Sequence, residues 1–377
     1  MVLSRRQFGL SAGCALMASA TSGAAQPSPP KADLGMVIDE AHLAAGRALL
    51  QTTPSIDIHS HAGRFFMQGA GGQTALAVRS GPPFLEGSLA AMRTGGLSAV
   101  MIAAVADHLI LESSPQGLKA GRPYAPGEAF ADYQRQVAIL RGAVRRGLVA
   151  PGLNAADIRR AHRDGVTAGL FAVEGGDFIE DRLDRIVACH ADGVRSVTII
   201  HYNTNQIGDP QTASPVHGGL SRLGGDVVRQ MNKAGVLIDL SHASRDATRQ
   251  AVEISTRPMI ISHSNLTAPS LEHPRLISPE HARLVTERGG LIGALPAGAG
   301  QTSFAAYVDT LLRMIDLLGV DHVAIGTDMD FTFKSVLPDY GAWSLIPAAL
   351  LARGVAPDEV RRVMGENFLR VLRAIET

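Results

Sequence analysis

The sequence is short of cysteine, of charge and of long apolar runs. Two of its 377 residues are cysteine, Cys14 and Cys189, too few for a disulfide framework. Cys189, in the apolar helical pattern RIVACHADG, reads as a small packed hydrophobe. Charged residues make up 19%, and 35 basic residues cancel 35 acidic ones. Soluble proteins average roughly 25% charged residues. With no net charge and no extended Lys/Arg run, there is no electrostatic footprint for nucleic acid. No strongly apolar run reaches the roughly 20 residues of a membrane span. No Gly-x-Gly-x-x-Gly follows the first strand, which disfavours an open doubly wound nucleotide-binding sheet. There is no Gly-x-Ser-x-Gly elbow, and Gly87-Ser88 and Pro269-Ser270 lack the strand–turn–helix context of a serine nucleophile. Internal repeats are also missing. What is plentiful is glycine, 40 residues, and histidine, 13. The glycine content points to a compact, loop-rich enzyme scaffold. The length suits either two ordinary domains or one α/β barrel with insertions.

The N-terminus reads as an address. Arg5-Arg6 precedes Phe8 and an Ala/Gly/Ser-rich apolar stretch that closes on small residues at 22–25. This is the layout of a twin-arginine export signal over residues 1–26, and it predicts a periplasmic or secreted protein. Cys14 is not placed for lipid attachment, because Ser11 stands where a large aliphatic residue is wanted. Removing the signal leaves 33 basic against 35 acidic residues, a mature charge of −2. Residues 27–49 then form a Pro/Ser-rich tether and an N-terminal helix.

Along the rest of the chain, short apolar runs alternate with helical patterns. Buried strands are predicted over 55–58, 97–104, 168–173, 194–200, 236–240, 258–261, 290–295 and 322–325. Each is rich in Val, Ile and Leu without polar alternation, as in a parallel sheet covered on both faces. Helices are predicted over 133–146, 182–191, 225–233, 244–254, 279–288 and 304–318. Ser278 followed by Pro279 makes an N-cap and first helical residue, and Ser244 precedes another start. The alternation predicts a (β/α)8 TIM-type barrel, a single domain over 50–377. Long connections at 62–90, 201–224 and 264–278 would surround its catalytic face.

The chemistry gathers at the strand ends. They read Asp57-Ile58-His59-Ser60-His61, Val173-Glu174-Gly175-Gly176, Ile200-His201-Tyr202-Asn203, Asp239-Leu240-Ser241-His242, Ile261-Ser262-His263-Ser264 and Gly326-Thr327-Asp328. His59 and His61, two apart, share one face of an extended strand and can hold one ion together. Imidazole and carboxylate are the ligands of Zn²⁺, with Mn²⁺ or Co²⁺ as substitutes. His59, His61, His201, His242 and His263 with Glu174 and Asp328 exceed the three protein ligands of one catalytic zinc. A two-metal site with a bridging carboxylate accounts for the surplus. His42, His162, His190 and His281 fall in helical patterns, and His108, His217, His273 and His322 lack comparable company. These eight read as structural or surface residues.

With these residues placed, the chain resembles the membrane dipeptidase (renal dipeptidase) family of the amidohydrolase superfamily over residues 50–375. The resemblance rests on AVEGGD (172–177), VLIDLSHAS with ISHSN (236–265), HVAIGTDMDF (322–331) and MGENFLRVL (364–372). The segment 201–224 resembles bacterial members. The resemblance implies dipeptide hydrolysis by a hydroxide bridging two zinc ions. It implies that Glu174 bridges the ions, that His242 and His263 ligate one, and that His59 ligates the other. His61 stands where the family usually has Asp, leaving the site one negative charge less anionic. Asp328 matches the proton-transferring acid and His201 the residue that polarises the scissile carbonyl. Arg275 matches the arginine that grips the substrate carboxylate, with Leu276 in place of the usual following Asn. The implied partner is a small dipeptide-like molecule, and members are often dimers, which leaves a homodimer open. Two other readings of the residues are hydrolysis of another amide, such as an N-acyl amino acid or a lactam, and a non-catalytic metal-binding barrel.

Overall fold

The computed structural model of the protein describes residues 34–70, 84–114, 117–268, 273–298, 301–332 and 334–376. The predicted export signal lies outside the described residues. Eight strands form the barrel: β1 Ile56–Ser60, β2 Ala99–Val105, β3 Ala168–Glu174, β4 Val194–Thr198, β5 Leu237–Asp239, β6 Ile260–Ser264, β7 Leu291–Ala294 and β8 Val323–Ile325. Their spatial order is β2-β1-β8-β7-β6-β5-β4-β3, and β3 pairs back onto β2 to close the ring. All these pairings are parallel. The closing pair runs in register from Ala99 opposite Ala168 to Val105 opposite Glu174. Glu174 thereby stands at the rim.

Strand side chains alternate between two cores, as the period of two requires. Ile58, Met101, Ala103, Leu170, Ala172 and Leu237 share one core with Phe368 and Leu369 of the C-terminal helix Asn367–Ile375. Val100, Ile102, Val173, Val197, Ile238 and Ile261 pack in the other, against the surrounding helices. Each fully buried Ile or Leu contributes roughly 1.5–3 kcal/mol of transfer free energy, which favours this continuous apolar patterning. At the top of the barrel the backbones come close. A Cβ on Gly293 or Gly326 would run into the Ser262 carbonyl oxygen. Glycine there lets β7 and the segment leading to Asp328 lie against β6.

The capping prediction holds where it had a chemical basis. Ser278 accepts from His281 N and Ser244 from Ala247 N at the starts of Pro279–Thr286 and Arg245–Ile254. Helix Phe304–Leu318 has the predicted bounds. Helices Leu85–Gly95 and Ala155–Arg163 and the antiparallel hairpin Leu111–Ser114/Gly117–Ala120 were not predicted. Ala155–Arg163 buries only Ala155, Ile158 and Ala161, and the hairpin is largely solvent-facing. Neither shows the dense apolar run by which the barrel strands are recognised. Among the described residues no helix is long and apolar enough to cross a membrane.

A buried polar cluster fastens the connection after β1. His108 Nε2 lies 2.8 Å from Asp132 Oδ2, and Arg135 Nε donates to Asp132 Oδ1 at 2.7 Å. Arg135 also donates to the Phe66 and Gln68 carbonyls, so the ion pair pins the chain just beyond His61. Burial opposes the Asp132 charge, but His108 and Arg135 outweigh it and hold the carboxyl below its ordinary value of 3.8. Asp132→Asn is expected to cost on the order of 3 kcal/mol at pH 7, because the partly buried Arg135 guanidinium keeps its desolvation penalty without a counter-charge. A depressed carboxyl stabilises the fold above its unfolded pKa, and that stabilisation is lost as pH falls through the native value. The gap between wild type and variant in urea denaturation should therefore be full at pH 5–7 and shrink only below about pH 4. A gap that does not change down to pH 3 would reject the ion-pair account.

Candidate metal centre

Five imidazoles surround the Glu174 carboxylate at the barrel rim. Its Oε1 lies 3.5 Å from His59 Nε2, 3.2 Å from His242 Nε2 and 3.3 Å from His263 Nε2. Its Oε2 lies 3.1 Å from His61 Nε2 and 3.3 Å from His201 Nε2. None of these six residues is more than 5% exposed. His59, His61 and Glu174 form one cluster of converging ligand atoms, and Glu174, His242 and His263 form another. The residues predicted from separate strand ends are thus brought together around one shared carboxylate.

The surrounding hydrogen bonds turn three of the rings toward the shared carboxylate. Ser262 Oγ donates to Asp239 Oδ2 at 2.6 Å, so its lone pairs face His59 Nδ1 and His263 Nδ1, each 3.0 Å away. Both rings must then carry their proton on Nδ1, which turns the Nε2 lone pairs inward. His61 Nδ1 lies 3.0 Å from the Ala103 carbonyl, an acceptor only, and is fixed the same way. His59 Nε2 is buried without a hydrogen-bond partner. Nε2 lone pairs aimed at a carboxylate call for a cation between them, so the donor set fits divalent metal.

The charge states agree. Burial opposes ionisation of Glu174, yet His201 and His59 hold its carboxyl well below the usual range. His242 and His263 are held well below the ordinary imidazole value, by burial first and then by neighbouring positive charge. That direction favours the neutral ring, the form that can ligate. Burial also opposes a charge on His61, but Asp328 and Glu174 outweigh it and push the ring up to about 10. The pocket favours positive charge there, supplied by a proton or by a metal ion.

Two site residues sit in left-handed backbone, His242 at φ 66° and Asp328 at φ 52°. Such conformations cost non-glycine residues roughly 1–3 kcal/mol and persist where the surroundings over-determine them. Here Asp328 N donates to the His59 carbonyl at 2.9 Å, and His61 N donates to the Met329 carbonyl at 3.0 Å. The ends of β1 and β8 are zipped together, and Asp328 Oδ1 comes within 3.1 Å of His61 Nε2. Its side chain remains 21% exposed, far more than Glu174 at 3%.

Above the centre is a cavity of about 560 Å³, walled by Tyr202, Leu118, Leu276, Leu295, Phe331 and Arg275. Arg275 Nη1 donates to Gln211 Oε1 at 2.5 Å, while Gln211 N donates to the His242 carbonyl at 2.7 Å. Gln211 thus ties the arginine to a predicted metal ligand. His273, read from sequence as ordinary, also lines this cavity, and its Nδ1 accepts from Arg275 N at 3.2 Å. Asp107 was missed as well: buried, it lies 2.6 Å from His201 Nδ1. Its signal was legible, since Asp107-His108 closes the predicted second strand as the other pairs close theirs. The hairpin residues Ser114, Gly117 and Leu118 also reach the cavity.

Fold and site together define a (β/α)8 barrel whose rim carries a carboxylate-centred, histidine-rich set of candidate metal-ligand clusters. Membrane dipeptidase (peptidase family M19) is the family that matches, over residues 43–377, and the chain belongs to it. Dipeptidase tcpJ of Claviceps purpurea (strain 20.1) is 35% identical over 230 residues, covering 58% of this chain and 54% of that protein. The chain spans about half to two thirds of the length of the curated dipeptidases it matches. The structure of the probable dipeptidase PvdM from Pseudomonas aeruginosa has the same fold, with TM-score 0.73 and 21% identity over 89% of this chain and 98% of that one. So does a metallo peptidase from Rhodobacter sphaeroides liganded with a phosphinate mimic of the dipeptide L-Ala-D-Ala, at TM-score 0.70 and 21% identity over 86% and 99%.

Proposed function

We propose that this protein is a zinc dipeptidase, holding two Zn²⁺ per chain and cleaving dipeptides that have a free C-terminal carboxylate. The observation that carries the reading is the single buried carboxylate Glu174, shared by two imidazole clusters and open to a cavity that also contains Asp328 and Arg275. His59, His61 and Glu174 would hold one ion; Glu174, His242 and His263 would hold the other. Imidazole and carboxylate donors suit Zn²⁺, with Mn²⁺ or Co²⁺ as substitutes. When bound, the paired cations polarise the scissile carbonyl and bring the pKa of water toward neutrality.

The chain's own residues supply the remaining chemistry. Asp328, the more exposed carboxylate, takes a proton from the attacking water and returns it to the departing amine. His201, whose Nε2 lies 3.3 Å from Glu174 Oε2 on the cavity wall, donates to the carbonyl oxygen as negative charge develops there. Arg275 keeps N–H groups beyond the one given to Gln211, and these can grip a carboxylate in a paired geometry. The reading is tested by counting zinc in the full chain and assaying dipeptides, C-amidated dipeptides, N-acetylated dipeptides and tripeptides. About two zinc ions and preferential cleavage of free dipeptides support it. Turnover confined to N-blocked or lactam substrates would transfer the site to another amide. Two bound metals without turnover would leave a binding barrel.

Export by the twin-arginine route to the periplasm belongs to the same proposal, on the strength of Arg5-Arg6 and the small-residue stretch that follows. Replacing Arg5-Arg6 by Lys-Lys is expected to leave the protein in the cytoplasmic fraction of a bacterial host. Unchanged appearance in the periplasm would reject this route.

A further inference from the structure

The ring of His201 is held from behind by a carboxylate that contributes to neither metal cluster. Asp107 stands just beyond the end of β2 and is 0% exposed. Its Oδ1 lies 2.6 Å from His201 Nδ1. Its Oδ2 accepts from the backbone amides of Tyr202 and Asn203, each at 3.2 Å. One side chain therefore fixes both the imidazole and the chain that bears it. An ionised carboxylate can only accept, so Nδ1 of His201 carries a proton and Nε2 is the atom left for the site. That Nε2 lies 3.3 Å from Glu174 Oε2, on the wall of the substrate cavity. Asn203 Nδ2 in turn donates to Asp177 Oδ1 at 2.6 Å, bracing the same segment from a second side.

We infer that Asp107 is a positioning residue for the reaction, aiming His201 Nε2 at the carbonyl oxygen of the substrate through the Nδ1 hydrogen bond. The same carboxylate holds the ring through Nδ1 and the backbone of residues 202 and 203, so it sets the direction in which Nε2 points. Without Asp107, the His201 ring can rotate about its side-chain torsions and Nε2 is no longer aimed into the cavity. Asp107 acts at the second step, through His201, and touches neither substrate nor metal.

This inference rests on the dipeptidase reading, and a double-mutant cycle in the zinc-loaded full chain tests it separately. Asp107→Ala and His201→Ala are each expected to lower kcat by roughly 100- to 1,000-fold, the loss typical of removing one oxyanion donor. Zinc content should be unchanged and KM should stay within about threefold. The decisive reading is the double variant, which should be no slower than His201→Ala alone, because the two residues act as a unit. Losses that multiply would overturn the inference, since Asp107 would then act without His201. An Asp107→Ala variant turning over near the wild-type rate would overturn it too. If Asp107→Ala does not fold, Asp107→Asn takes its place in the cycle: its amide oxygen can still accept from the Tyr202 and Asn203 amides while the charge is gone. Wild-type protein with no dipeptidase activity would instead strike at the proposed function.

Discussion

Glu174→Gln is expected to abolish metal binding and turnover together. The change is nearly isosteric, so the packing of β3 and the fold should survive. What disappears is the only carboxylate that both ligand clusters share. The amide offers one oxygen and no negative charge to five imidazole nitrogens now 3.1–3.5 Å from the carboxylate. Loss of an outer-shell partner typically weakens metal affinity by roughly 10–100-fold, and removal of a shared ligand should exceed that. Turnover should fall by roughly 10⁴-fold or more, because groups that act as a unit fail as a unit. Zinc analysis after dialysis and kcat/KM on a dipeptide would check both parts. Full zinc occupancy in the variant would sink the bridging role.

Asp328→Asn should separate chemistry from metal binding. Asp328 is outside the two clusters that contain Glu174 and is more open to the cavity than any ligand carboxylate. Its loss should therefore leave zinc content intact. Proton transfer by a positioned side chain contributes roughly 10²–10⁴-fold, which is the drop in kcat expected here. KM should change little, because Arg275, not Asp328, is the group proposed to grip the substrate carboxylate. Near-native turnover with metal retained would remove Asp328 from the mechanism. The contrast between the two variants is informative in itself, since both delete one negative charge within the same pocket.

The amino-acid order by itself determined the barrel and most of its rim. Eight dense apolar runs separated by helical patterns call for a parallel sheet covered on both faces, and the missing Gly-x-Gly-x-x-Gly favours a closed barrel over an open doubly wound sheet. His59, Glu174, His242 and His263 were legible because each stands where a buried strand runs out, and strand ends of a barrel share one face. Ser244 and Ser278 were legible because an N-cap is local chemistry. The helix Ala155–Arg163 and the hairpin after β2 were not, since both bury little and carry no dense apolar signal.

Only the tertiary structure decided how these residues combine. Ser262, unremarkable in sequence, sets the tautomers of His59 and His263 because β1 and β6 bring both rings to its hydroxyl. Asp107 and His201 are far apart along the chain and meet at 2.6 Å only after β2, β3 and β4 lie side by side. Gln211 reaches both His242 and Arg275 from a loop with no periodic pattern to announce it. His273, ordinary by its sequence context, lines the cavity together with Arg275 and Leu276. The physical reason is the same throughout. Burial and capping follow local periodicity and are written along the chain, whereas the partner that sets a tautomer, a charge or an orientation is supplied by whichever strand closure places beside it.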